Sequence, residues 1–127
     1  MGILCGVDII EIERIRKSFE TVGQSFRDKV FTEKEIRYCE QRAAVKYRSY
    51  AARFAAKEAV SKAFGTGIGG YIGWKDIEIL NDTNGKPYVE LYGKSKERLA
   101  EINAVDISLS LSHSDNYAVA YVVILTK

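Results

Sequence analysis

An α+β fold follows from how the residue periodicity changes along the 127-residue chain. Helix-spaced apolar residues dominate the first half, period-two alternation and turn dipeptides dominate the second, and a short β-branched run opens the chain. Together they predict one domain, 1–127, with helices mainly in the first half packed on an antiparallel sheet. The length suits that reading, since domains cluster at roughly 100–150 residues.

Ile3–Ile10, short and β-branched, reads as a buried strand. Glu11–Glu20 then turns amphipathic, with Ile12, Ile15 and Phe19 at helical spacing. In Phe31-Thr32-Glu33-Lys34-Glu35, Thr32 is an N-cap and Glu35, three residues on, completes a capping box; that helix is predicted to run to about Val45. A longer helix is predicted from Arg48 to Phe64. Its six alanines between Ala51 and Ala63 give it high propensity and a slim profile, so neighbours can approach closely. Gly65-Thr66-Gly67 and Gly69-Gly70 end it in a flexible loop.

Trp74–Leu80 alternates and reads as a strand, Asn84-Gly85 is a tight turn, and Pro87 can start the returning strand Tyr88–Tyr92. Ser95–Ile102 is a short helix. Asp106–Ser112 sets Ile107, Leu109 and Leu111 against three serines, a half-buried strand. Asp115-Asn116 makes a turn, and Tyr117–Leu125 is the last strand, in a hairpin with its predecessor.

Composition narrows the function classes. With 46% hydrophobic and 28% charged residues, disorder is excluded as a general description. No apolar run approaches the ~18 residues of a membrane helix, so no membrane partner is expected. The opening residues, with an acid at Asp8 and no basic start, do not read as a signal peptide. Cys5 and Cys39 are too few for a disulfide scaffold, and the expected location is cytoplasmic. Residues 1–67 hold 13 Lys/Arg against 9 Asp/Glu and residues 68–127 hold 6 against 8, so basic charge gathers in the first half. Its densest stretch runs from Arg42 to Lys62, with six basic residues and a single acid, Glu58. Two readings fit: a solvated helix face, or a site for an anion with several phosphates.

Two acids stand where acids are costly. Asp8 lies between Val7 and Ile9 in the apolar strand. On the long helix at 100° per residue, with Tyr47 at zero, Ala51 falls at about 40°, Phe54 at about 340° and Glu58 at about 20°. Glu58 thus continues a stripe expected to pack inward. Each acid can be half of a structural ion pair, and Lys62 is available to Glu58 at i+4. Alternatively the two acids share one hard divalent cation, and oxygen ligands that leave room for water and phosphate suit Mg²⁺. With Lys57 and Lys62 flanking Glu58, that is an apparatus for phosphoryl transfer. Gly65-Thr66-Gly67 is no P-loop, because no Gly-Lys-Ser/Thr follows, so a kinase or P-loop hydrolase is disfavoured. His113, the only histidine, ends a serine-rich strand and is either structural or part of a site. There is no GxSxG for a serine triad and no His/Cys cluster for zinc.

These segments together resemble the 4′-phosphopantetheinyl transferases, in particular the short bacterial holo-[acyl-carrier-protein] synthases. The resemblance rests on Gly6-Val7-Asp8-Ile9 with Ile12 and Arg14, on Phe31-Thr32-x-x-Glu35, on the whole run from Arg53 through Lys57-Glu58 and Lys62 to Gly65-Thr66-Gly67, on Asn84-Gly85-Lys86-Pro87 and on Ser110-Leu111-Ser112-His113-Ser114. It covers nearly the entire chain in order, and the long-helix motif is its most specific part.

The resemblance implies transfer of the 4′-phosphopantetheine arm from coenzyme A to a serine of apo acyl carrier protein in fatty acid biosynthesis, with adenosine 3′,5′-bisphosphate leaving. Asp8 and Glu58 would hold Mg²⁺ on the pyrophosphate, and Lys62 would stabilise or protonate the leaving oxygen. Deprotonation of the serine falls either to Glu58 or to water at the ion. Arg53, Lys57 and His113 would face coenzyme A phosphates, Lys62 and Gly65 at the end of the motif helix would also contact coenzyme A, and Gly85, Lys86 and Pro87 would sit near the adenine. Arg14, Arg16 and Lys17 would dock the acidic carrier protein, although Glu11 and Glu13 also balance them. The family further implies a homotrimer with sites between subunits. The competing readings are a coenzyme A or nucleotide-binding module without transferase activity, and a nucleic-acid-binding domain. The net charge of +2 and the acids set into the basic surface disfavour a nucleic-acid partner.

Overall fold

The computed structural model describes residues 1–127. In chain order the elements are β1 (Gly2–Glu11), α1 (Ile12–Thr21), α2 (Gln24–Val30), α3 (Glu33–Gln41), α4 (Lys46–Phe64), β2 (Ile77–Asn81), β3 (Pro87–Leu91), α5 (Gly93–Glu101), β4 (Ala104–His113) and β5 (Tyr117–Thr126), with 3-10 turns over Ala43–Val45 and Trp74–Asp76. The predicted α+β class holds. The strands, however, form two antiparallel sheets: β1-β5-β4, in which the first strand pairs with the last, and the separate hairpin β2-β3. No helix is long and apolar enough to cross a membrane.

At the centre lies α4. Its buried residues, among them Ala51, Ala55, Ala56, Ala59, Val60, Ala63 and Phe64, surround the whole helix axis rather than forming one stripe. One side rests on the inner face of the larger sheet, where Ala118, Ala120, Val122 and Ile124 of β5 are buried. Small residues meet small residues there, so the axes come close. The closest point is Gly6 on β1: a Cβ added there would lie 2.0 Å from the Ala59 carbonyl oxygen. Glycine is needed at this position to let the strand lie on the helix backbone.

Several local signals hold as read. Thr32 caps α3, and both halves of its capping box with Glu35 are formed. Gly65 ends α4 in the left-handed conformation, φ 75°. The β4–β5 hairpin alternates Ile107, Leu109 and Leu111 inward against outward-facing serines.

Other expectations need correction. β1 is not a buried strand: it is an edge strand, with Leu4, Gly6, Asp8 and Ile10 towards α4 and Ile3 (71% exposed), Val7 and Ile9 (64%) on the open face. α3 stops at Gln41 rather than Val45, because Ala43 takes a left-handed φ of 51°, with no glycine or proline to announce it. Trp74–Asp76 is a turn rather than strand, closed by the Asp76 carboxylate on the Gly73 N–H at 2.9 Å. The seven-residue α2 is too short to carry a periodic signal and follows the positive-φ Gly23.

Candidate active site

Gly6 sets the first half of the site. Because β1 touches α4 there, Asp8, two residues along on the same strand face, comes up beside Glu58 and Lys62 on the same helix. Glu58 is half-buried where the inward stripe of α4 opens to solvent, and Lys62, one turn on, is exposed. Lys62 does not bond Glu58 at i+4. Its Nζ reaches across to Asp8 Oδ1 at 3.0 Å and to the Val7 carbonyl at 3.0 Å. Glu58 is left without an ion pair. Burial pushes its pKa up, the facing charge of Asp8 pushes it further, and the charges of Lys62 and Arg14 act in the opposite direction. Two carboxylates facing each other, one of them under-compensated, are an oxygen-only donor pair that suits a hard divalent cation. No third His, Cys, Asp or Glu joins them, so other ligands would come from water or substrate.

The second half lies on the opposite flank of α4. Arg53 and Lys62 are nine residues apart, about 180° around a helix. Asp8 pairs with Ala120 and Ala120 with Leu111, so the two flanks sit over the two outer strands of one sheet. On the β4 flank a cavity of about 130 Å³ is lined by Tyr38, Arg42, Arg48, Arg53, Ser112 and His113 among others. Arg53 is 3% exposed; it donates to Asn81 Oδ1 and to Ser49 Oγ (3.4 Å), and its buried Nε has no partner. None of Arg42, Arg48 and Arg53 forms a salt bridge. Three guanidiniums without salt bridges and a histidine around one cavity are a lining whose charge suits an anion. Asn81 also donates to the Gly85 carbonyl at 3.0 Å, tying the turn of Gly85, Lys86 and Pro87 to the same pocket. Arg42 and Arg48 were visible in the sequence only as members of a basic run. Tyr38 and Asn81 carried no signal of their own.

Two predicted site residues are otherwise engaged. Lys57 is fully buried. Its Nζ pairs with Glu35 at 2.8 Å and donates to the carbonyls of Trp74 (3.0 Å) and Ile77 (2.7 Å). Burial pushes its pKa down, opposed by the Glu35 carboxylate. It is therefore a pin between α4, α3 and the β2 hairpin rather than a phosphate ligand. Arg16 is bound within α1 by Glu13 and Glu20, so it is not a free docking cation. Arg14 and Lys17 line a polar surface groove with Glu11 and Glu13, and Arg14 is close enough for its charge to act on Glu58. Gly65 is exposed at the end of α4, on from Lys62.

The family model of the 4′-phosphopantetheinyl transferase superfamily matches residues 4–122, from β1 into β5. The chain belongs to that superfamily. Among curated relatives of this transferase, the holo-[acyl-carrier-protein] synthase of Ruminiclostridium cellulolyticum is 60% identical over 98% of this chain and 92% of its own. That of Chlamydia felis is 52% identical over 94% of each. Among solved transferase structures, the Helicobacter pylori holo-[acyl-carrier-protein] synthase in complex with coenzyme A superposes with a TM-score of 0.85 at 34% identity, covering 96% of this chain and all of that one. The Neisseria meningitidis enzyme gives 0.88 at 34% identity over 97% and 98%.

Proposed function

We propose that residues 1–127 form one transferase domain. It moves 4′-phosphopantetheine from coenzyme A to a serine hydroxyl of apo acyl carrier protein, serving fatty acid biosynthesis. The serine oxygen forms a bond to the phosphorus that bears pantetheine, the bond from that phosphorus to the bridging oxygen breaks, and adenosine 3′,5′-bisphosphate leaves. The observation that carries this reading is the convergence of Asp8, Glu58 and Lys62 from a strand and a helix that only the fold brings together. The names of relatives at 60% and 52% identity support the same activity.

Asp8 and Glu58 would hold Mg²⁺, which supplies charge neutralisation on the pyrophosphate. Lys62, exposed on a flexible stem, trades its bond to Asp8 for the leaving oxygen and delivers charge or a proton there. Glu58, its pKa raised, is the chain's own candidate to take the serine proton. Arg14 and Lys17 face the carrier protein.

One coenzyme A has to meet both half-sites, yet α4, about 10 Å across, stands between them in a single chain. Neighbouring copies therefore complete the site, each chain giving its acidic flank to one ligand and its arginine flank to the next. The open sheet face suits that assembly: Ile3, Val7, Ile9 and Tyr121 are all about half exposed or more, an apolar patch that a second copy would cover. The expected assembly is a homotrimer, checked by sedimentation equilibrium.

Mass spectrometry of apo acyl carrier protein, after incubation with coenzyme A and Mg²⁺, tests the reading. Gain of one phosphopantetheine arm supports it. An unmodified carrier protein with coenzyme A still bound to this chain would make it a binding module instead.

A further inference from the structure

We infer that Tyr38 is a positioning residue for the arginine pocket, holding the Arg42 and Arg53 guanidiniums against one ring so that the pocket takes a phosphate monoester. This rests on the proposed coenzyme A reading, in which the pyrophosphate lies at Asp8 and Glu58. The remaining phosphate of coenzyme A, the 3′-monoester, is then the anion available to the opposite flank. Two cations that repel each other must be held together before such a ligand arrives. The Arg53 guanidinium lies 4.1 Å from the centre of the Tyr38 ring and that of Arg42 lies 5.7 Å from it. One aromatic ring thus attracts both through its negative face.

The arrangement follows from local geometry. Arg42 is four residues after Tyr38, at the end of α3, so both share one helix face. Arg53 arrives from α4, where burial and Asn81 restrict it. No carboxylate neutralises Arg42 or Arg53, so Tyr38 offsets their repulsion without cancelling the charge a phosphate needs. Arg53 Nε is buried and unpartnered, so the chain itself does not use all the donors of this guanidinium. The Tyr38 hydroxyl makes no hydrogen bond within the chain, so the ring is what acts.

The test is calorimetric binding of coenzyme A and of 3′-dephospho-coenzyme A to the parent chain, Tyr38→Phe and Tyr38→Leu, with thermal unfolding alongside. The parent is expected to prefer coenzyme A by about tenfold or more. Tyr38→Leu is expected to shrink that preference about fivefold, weakening coenzyme A more than dephospho-coenzyme A, and Tyr38→Phe to restore it. Tyr38→Met replaces the leucine variant if the latter unfolds. A parent that prefers coenzyme A together with a leucine variant that keeps the preference, or that weakens both ligands equally, overturns the role of Tyr38. So does a phenylalanine variant as poor as leucine. A parent that binds both ligands equally overturns the phosphate assignment of the pocket and the role of Tyr38 with it, while leaving the acidic half-site standing.

Discussion

Lys62 donates to Asp8 at 3.0 Å and leaves Glu58, one turn earlier on its own helix, without an ion pair. The lysine is thus a counter-charge held across two elements, and exposure lets it leave. Glu58→Gln and Asp8→Asn are each expected to lower transfer by about 100-fold or more, the scale of losing one electrostatic contact to the transition state. The carrier protein's mass shift with time reads the rate, and circular dichroism checks that the fold survives.

Glu58 also makes stability depend on pH. Its pKa is raised in the folded chain, first by burial and then by Asp8, so the folded state binds that proton more tightly than the unfolded one. Stability therefore falls as pH rises from the ordinary glutamate range through the raised value, and the cost is fully present above it. Glu58→Gln is expected to melt higher than the parent near neutral pH and to lose that advantage in acid. Thermal scans across pH read both limbs.

Mg²⁺ is expected to raise the melting temperature of the parent near neutral pH, because a cation between two facing carboxylates relieves their repulsion. The increment is expected to vanish in Glu58→Gln and in acid. An equal increment in parent and variant would place the cation elsewhere.

Gly6→Ala is expected to cost about 1–3 kcal/mol, the range for overpacking, since the new Cβ would meet the Ala59 carbonyl at 2.0 Å. Moving β1 off α4 also moves Asp8, so transfer is expected to fall further than unfolding explains. Urea denaturation and the rate at full folding separate the two.

Lys57→Met strands the fully buried Glu35 and is expected to cost about 3–5 kcal/mol. Adding Glu35→Gln is expected to recover part of that. The folded double variant is expected to keep its KM for coenzyme A, since the Lys57 ammonium is taken up by Glu35 and two backbone carbonyls.

What could be read from residue order alone is what neighbours along the chain decide. The Thr32–Glu35 box, the Gly65 stop, the Asn84-Gly85 turn and the serine–aliphatic alternation of β4 each depend on a few adjacent residues, so their signals survive in the sequence. The expense of burying Asp8 and Glu58 was legible too, because an acid in an apolar pattern requires a partner wherever it ends up. The partner itself was decided only when β1 paired with β5, more than a hundred residues away, and Gly6 let that strand settle on α4. That contact gave Lys62 to Asp8 instead of Glu58. The docking of α3 and the β2 hairpin took Lys57 inside, and the placement of α4 across the sheet put Arg53 and His113 on the flank opposite Glu58. A helical wheel gives the angle of each side chain but not what lies in that direction, and long-range packing alone supplies the second.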